Sequence, residues 1–320
     1  MLLVVTNSED ATADYFCRRL RRERLPYIRL DSDAAARRLR VSYDARGARL
    51  WIRGRWWEPS DISNVWLRRP HSIQTEAGRD AAERQHVSAE WGEALEGFLA
   101  HIPVSRWINH PSANVIASHK LEQITRAQRV GLAVPRTLVT QSPAALRAFY
   151  RRERRVIAKP LASGYLERDD ARGDTLIYTN EVKPRHLRKA EQVRACPTLF
   201  QVRIEKQYDV RMCIIDQELL AVAMQRNDRA LDVRRDNMDG VAYRQVIPSV
   251  RTQRAAQRLV ASYGLRFAAL DFVVDAAGSW HFLEVNPNGQ WAWLDLGGGM
   301  DFAGQFCRAL SKSGTVRHHG

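Results

Sequence analysis

The sequence predicts an α/β protein with more than one hydrophobic core, on three observations. Stretches of strand periodicity alternate with stretches of helical periodicity along nearly the whole chain. No segment recurs at a fixed interval, which sets aside solenoids and propellers. The 320 residues amount to two or three domains at roughly 100 to 200 residues each, enough to bury substantial cores without disulfides. Apolar residues make up 45% and charged residues 27%, ordinary for a globular protein. No apolar run reaches the roughly 18 residues of a membrane span. The opening MLLVVTNSED turns polar after Val5, so it reads as a buried strand rather than a signal peptide, and the expected location is the cytoplasm.

Taken in order, residues 2 to 6 read as that first strand, 10 to 24 as a helix and 26 to 30 as a second strand. VSYDARGARLWIRG, with Gly47 at its bend, reads as a hairpin. A short strand over Asn64 to Leu67, a helix from Asp80 to Ala100 and a strand over Arg106 to Asn109 complete a small α/β unit, assigned to 1–112. Val115, Leu121, Ile124, Ala127 and Val130 then fit one helix from Ala113 that Gly131 terminates. PRTLVT is a strand, SPAALRAFYRRE a helix with Ser142 as N-cap and Pro143 at its first position, and RVIAKPL a strand. Ser163 to Gly173 is a polar loop without hydrophobic period, read as mobile. TLIYT reads as a strand and Pro184 to Val193 as a helix, closing a second unit at 113–199. The third, 200–320, is strand-rich: TLFQVRI, DVRMCII, ELLAVAM and AYRQVI, a helix over 249 to 263, then LRFAALDFVVD and SWHFLEVN around a turn at Ala276 to Ser279.

The chain carries 50 basic against 36 acidic side chains, a net +14, and 44 of the basic residues are Arg. Such a balance favours an acidic ligand. Nucleic acid is the reflex reading, but the arginines are dispersed, and the denser groups at Arg18 to Arg24 and Arg151 to Arg155 read as solvated helix faces. Nucleic acid is therefore not the expected partner. Cys17, Cys196, Cys213 and Cys307 lie far apart with no zinc-ligand spacing and apolar neighbours, so all four read as reduced core cysteines.

The third section carries the chemistry. Asp271 sits inside FAALDFVV and Glu284 inside HFLEV, with Asn286 two residues on. A lone carboxylate among Leu, Phe and Val loses its charge or destabilises the fold, so a strand that keeps one has a cation for it. Side chains two apart on a strand share a face, so Glu284 and Asn286 project together, with Asp271 beside them if the strands pair. Oxygen donors without Cys or His suit Mg²⁺ held jointly with phosphate. The competing reading is that both acids are ion-paired to the abundant arginines. Lys120 and Lys159 stand out because the chain has only six lysines; Lys159 ends an apolar strand beside the Gly-containing loop, where an ammonium can meet phosphates, although a lone Lys is commonly a surface residue. Asp209 and Arg211 share a strand face, and Arg234 follows a second polar loop; Arg braces a carboxylate or a phosphoryl group through a bidentate fork.

Lys120, Ala158-Lys159-Pro160, the Ser163 to Gly173 loop, Phe200-Gln201, Asp209-Val210-Arg211, Asp271 and Glu284-Val285-Asn286 together resemble the ATP-grasp ligases over about residues 113 to 310. Trp66-Leu67-Arg68-Arg69-Pro70, Trp107-Ile108-Asn109, Asp232-Val233-Arg234-Arg235 and Leu283 to Trp291 resemble, more narrowly, the microviridin-type (graspetide) peptide ligases. Two departures are a linker reading QVRIEK and Val233 where that family often has Trp. The resemblance implies an ATP-grasp fold, two α+β subdomains clasping ATP, behind a small N-terminal α/β domain.

It also implies a mechanism. A substrate carboxylate takes the γ-phosphoryl group, and a second nucleophile attacks the acyl phosphate. The cofactors are ATP and Mg²⁺. Asp271, Glu284 and Asn286 are the implied Mg²⁺ ligands. Lys120, Lys159, Ser163 and Gly164 are the implied phosphate contacts, and Gln201, Val202 and Ile204 the adenine contacts, with Glu205 on the ribose. Arg211 and Arg234 would stabilise the transferring group, and the 163–173 loop would exclude water. The implied substrate is a ribosomal precursor peptide, leader plus acidic core, whose Asp or Glu side chains are joined to Ser or Thr hydroxyls as esters or to Lys amines as amides. A basic enzyme suits such a peptide, and Arg68 and Arg69 either reach it or form salt bridges in the first domain. The resemblance allows a homodimer. Two other readings stay open: a ligase adding a free amino acid to a peptide or protein carboxylate, and a non-catalytic peptide- or nucleic-acid-binding protein on the same fold.

Overall fold

The computed structural model describes residues 1–162, 164–166, 175–226 and 240–313. The chain opens with β1 (Leu2–Thr6), buried throughout, and α1 (Ala11–Arg22). Asp10 caps α1 by accepting the amides of Thr12 and Ala13, and Ala13, Phe16, Cys17 and Leu20 form its buried stripe. β2 (Tyr27–Asp31) and a one-turn α2 (Ala35–Arg38) follow. The expected hairpin is a three-stranded meander of β3 (Arg40–Asp44), β4 (Gly47–Ile52) and β5 (Arg55–Trp57). The third strand escaped notice because its tight turn has Arg53 rather than Asn or Asp beside Gly54, and both have positive φ (53° and 80°). β6 (Asn64–Leu67), α3 (Ala81–Ala100, capped by Asp80) and β7 (Trp107–Ile108) complete this part. β2-β1-β6-β7 is a four-stranded parallel sheet.

The single helix expected from Ala113 to Gly131 is two: α4 (Pro111–Ala117) and α5 (Lys120–Arg129). The carbonyl of Ala117, orphaned at the break, accepts from Gln123 Nε2 at 2.6 Å. Gly131 ends α5 with φ 90°. Next come β8 (Thr137–Thr140), α6 (Pro143–Glu153, capped by Ser142) and β9 (Val156–Lys159). A short antiparallel pair follows, β10 (Tyr165–Leu166) and β11 (Thr175–Leu176), then β12 (Asn180–Val182). The strand expected at 175–179 thus keeps only its first two residues. The helix expected at 184–193 is one turn, α7 (Pro184–Leu187), before a 3₁₀ stretch, Ala190–Ala195. With β13 (Thr198–Val202), β12-β9-β13-β8 is an antiparallel sheet.

The largest sheet comprises β14 (Lys206–Ile215), β15 (Glu218–Arg226), β16 (Val241–Gln245), β17 (Phe267–Asp275) and β18 (Trp280–Asn286), in the antiparallel order β16-β15-β14-β17-β18. α8 (Val250–Ser262) separates β16 from β17. Two further helices, α9 (Ala292–Leu296) and α10 (Phe302–Ser313), were not anticipated.

Alternate residues of the large sheet serve two cores. Val210, Met212, Leu270, Phe272 and Phe282 pack with α8 and with Ala117 and Ala127 of the broken helix pair. Cys213, Ile215, Phe267 and Ala269 pack with α10, α1 and Trp66. In that second core Trp291 lies 5.6 Å from Phe16 and 5.3 Å from Phe302, centroid to centroid, so the segment after β18 is anchored to the N-terminal helix. Cys17, Cys213 and Cys307 are buried as expected; Cys196 is exposed, because it lies between the 3₁₀ stretch and β13 rather than in a core.

Candidate active site

The face of the large sheet that carries Cys213 and Ala269 becomes polar toward the other end of the strands. Arg211 on β14 pairs with Asp271 on β17, and Asp271 pairs with Glu284 on β18. The three form one row across three strands, as the period of two requires. Asn286 lies two residues beyond Glu284, opposite Ala269. A bulge between Asp271 and Phe272 leaves Leu283 as the extra residue of β18, and both Leu283 and Glu284 line the same cavity.

That cavity, about 430 Å³, lies between the large sheet and the β12-β9-β13-β8 sheet. Lys120, Lys159, Gln201, Val202, Ile204, Arg211, Asp271, Glu284 and Asn286 all line it. Residues drawn from α5, β9, the β13–β14 connection and three strands of the large sheet therefore converge as expected. Part of its apolar wall comes from Ile157 on one sheet and Phe272 and Leu283 on the other, a slot that suits a flat heterocycle. Gly164 lies where the chain passes the carbonyl of Ile177: a Cβ there would stand 2.5 Å from that oxygen. Gly164 itself is not among the cleft-lining residues, and Ser163 and Arg234 lie outside the described residues. Glu205, assigned to the ribose, is exposed and its carboxylate is ion-paired with Arg155, outside the cleft lining. Lys206, on the cleft wall and bonded to Asp209 at 2.6 Å, went unremarked in the sequence.

The charges interlock. Lys120 Nζ donates to Pro160 O at 3.0 Å and stands 3.7 Å from Glu284 Oε2. Lys159 Nζ donates to Gln201 Oε1 at 3.1 Å, while Gln201 Nε2 donates to Thr137 Oγ1 at 2.9 Å. Val202 N–H is donated to Arg136 O and Arg203 N–H to Arg155 O, both at 2.9 Å, so Ile204 is the first cleft residue beyond these bonds. Arg211 Nε lies 3.1 Å from Asp271 Oδ1, and its guanidinium carbon lies 5.9 Å from the centroid of Trp293, a cleft residue that went unnoticed although it closely follows the Asn286–Trp291 run. Of the two acids only Asp271 is paired to an arginine among the described residues, while Glu284 stands near Lys120, and both also line the open cleft.

The donor set fits a hard cation and a polyphosphate. Asp271, Glu284 and Asn286 offer only oxygen or amide groups. Arg211 Nη1 is buried yet makes no hydrogen bond among the described residues, which leaves a directional donor for an anion. No group of three or more His, Cys, Asp or Glu residues among the described ones is placed to hold a metal ion, so a metal here would share its shell with Asn286 and a bound phosphate.

The turn after β18 is held from the N-terminal part. Asn109 Nδ2 donates to Phe267 O (2.8 Å) and Pro287 O (2.9 Å), and its Oδ1 accepts from Arg266 N and Phe267 N. Arg68, 2% exposed, donates to Asn288 O and lies 3.6 Å from Asp10 Oδ2. Burial pulls its guanidinium down to about 10, against the attraction of Asp10. Arg68 is thus internal, whereas Arg69 lines the cleft.

Solved structures with this architecture match over the full chain. A RiPP-associated ATP-grasp ligase from Chryseobacterium gregarium, in complex with ADP and a leader and core peptide, is 23% identical with TM-score 0.82, over 97% of this chain and 94% of that one. The chain has the ATP-grasp fold. Macrocyclase MdnB from Microcystis aeruginosa MRC is 26% identical, TM-score 0.73, over 97% and 98% of the two chains. ATP-grasp ligase PsnB, complexed with a minimal precursor, Mg and ADP, is 22% identical, TM-score 0.75, over 98% and 96%. No protein-family model and no curated protein matches. The ATP-grasp fold supplies the two facing sheets described above, and no helix among the described residues is long and apolar enough to cross a membrane.

Proposed function

We propose that the protein is an ATP-dependent peptide macrocyclase of the graspetide type, acting in the cytoplasm on a ribosomal precursor peptide with an acidic core. The observation that carries this reading is the row Arg211–Asp271–Glu284 with Asn286, facing a cleft whose opposite wall presents Lys159 and Gln201. The full-length likeness to two ligases solved with ADP and peptide, one of them also with Mg, and to a macrocyclase supports it. In this reading residues 1–112 carry the substrate-side scaffold, and 113–199 and 200–320 are the halves that clasp the nucleotide.

Asp271, Glu284 and Asn286 would hold Mg²⁺, and Lys120 and Lys159 the ATP phosphates. When bound, the magnesium nucleotide supplies the phosphoryl group that makes a side-chain carboxylate reactive toward a hydroxyl or amine. Arg211, braced by Asp271 and Trp293, aims buried donors at the developing charge. The apolar walls at Ile157, Phe272 and Leu283 orient the base and keep water from the reacting groups.

The test is co-expression with each short acidic reading frame that flanks the gene, followed by mass spectrometry. The expected product has lost one water per ring. A gain of one residue's mass would indicate ligation of a free amino acid, and nucleotide binding with an unchanged peptide mass would leave only a binding protein.

A further inference from the structure

Six cationic side chains line the cleft: Arg69, Lys120, Lys159, Arg203, Lys206 and Arg211. Five are engaged by the protein. Lys120 meets Pro160 O and Glu284, Lys159 meets Gln201, Arg203 meets Glu181 at 3.2 Å, Lys206 meets Asp209 and Arg211 meets Asp271. Arg69 alone among them makes no ion pair and no side-chain hydrogen bond with the described residues. It is exposed, and no described residue takes up its charge.

Its backbone, by contrast, is fixed on every side. Arg68 N donates to Val5 O at 2.8 Å, and Asn7 Nδ2 donates to Arg69 O at 2.6 Å. Pro70 follows and disfavours the helical conformation at Arg69. The preceding side chain, Arg68, is buried and tied to Asn288 O, in the turn that carries Asn286. Arg69 therefore lines the same cleft as Asn286 and Gln290 and follows the residue tied to their turn, while Lys159 lines it from the opposite sheet.

We propose that Arg69 receives the acidic side chain of the peptide substrate, gripping its carboxylate through the guanidinium fork, and that Arg68 is the positioning residue that holds this grip in register with the Asn286 turn. The proposal rests on the macrocyclase reading and deepens it. A carboxylate that must approach a nucleotide phosphate meets like-charge repulsion, and a cleft arginine with no partner among the described residues offsets it. With Lys120 and Lys159 assigned to the phosphates and Arg211 to the group in transfer, Arg69 is left for the carboxylate of the substrate itself.

The experiment titrates N-acetyl-glutamate α-methylamide and its glutamine isostere into the full chain with AMPPNP and Mg²⁺, read by NMR line broadening. Wild type should prefer the glutamate probe by about tenfold or more, the equivalent of one charge-assisted hydrogen-bonded pair. Arg69→Gln should lose that preference while its weak binding of the glutamine probe stays the same. Arg69→Lys should fall between, because it keeps the charge and loses the fork. Equal preference in wild type and Arg69→Gln, or no preference in wild type, overturns the proposal. Failure of the macrocyclase reading would appear separately, as a wild-type enzyme that removes no water from any flanking-frame peptide.

Discussion

Arg211 is half-buried between Asp271 and Trp293, and its Nη1, without a hydrogen bond among the described residues, is costly unless an anion visits it. Replacing it with Lys keeps the charge and loses the directed donors; the rate of ATP-dependent product formation should drop by roughly 10² to 10³, the usual loss for one such donor. Single-turnover kinetics would check this, and an unchanged rate would remove Arg211 from the chemistry. Gly289 governs the same spot from below. A Cβ there would stand 2.4 Å from Ala269 Cβ and 3.3 Å from Arg211 Nη1. Gly289→Ala should therefore cost about 1–3 kcal/mol from overpacking, read by denaturant unfolding, and should displace Arg211. The acids were legible in the sequence because a carboxylate inside a Leu-, Phe- and Val-rich strand demands a reason. Gly289's close approach was not legible, since Asn-Pro-Asn-Gly reads as an ordinary turn until Ala269 is known to lie beneath it.

At the scale of elements, strands were readable from their period and the start of α6 from its Ser142 cap, whereas the caps Asp10 and Asp80 of α1 and α3 emerge only in the structure. The break between α4 and α5 was not. Ala117 ends one helix because Gln123, from the next, satisfies its carbonyl while also pairing with Val285 on β18 through Nε2 to O and N to Oε1. That tertiary contact starts α5 at Lys120 and brings its ammonium to Pro160 and Glu284. α10 was overlooked although Phe302, Ala303, Phe306, Cys307 and Leu310 follow a helical period. Its core depends on Trp291, fully buried. Trp291→Ala should cost about 3–5 kcal/mol, as for other large core aromatics, measured by denaturant unfolding. A loss below about 1 kcal/mol would show that the turn after β18 does not depend on this anchor. Asp10→Ala removes both the cap of α1 and the acid nearest the buried Arg68; about 3–5 kcal/mol is expected from the stranded charge.

Across the whole molecule, two antiparallel sheets face each other over one cleft, and the N-terminal parallel sheet braces the turn that completes it through Arg68 and Asn109. The three sections of the sequence were legible as changes in the alternation of elements. Their interdependence was not, because it runs through single side chains such as Trp66 and Trp291 that read locally as ordinary apolar residues. The strongly basic balance is explained only in part by the cleft, since many arginines, including those of α1 and α6, are solvated. The central claim is that Asp271, Glu284 and Asn286 jointly bind the metal of a magnesium nucleotide. Its most direct test is calorimetric titration of AMPPNP into wild type and Glu284→Gln, each with and without Mg²⁺. Magnesium should tighten nucleotide binding in wild type and have little effect on the variant, whereas equal tightening in both would contradict the claim.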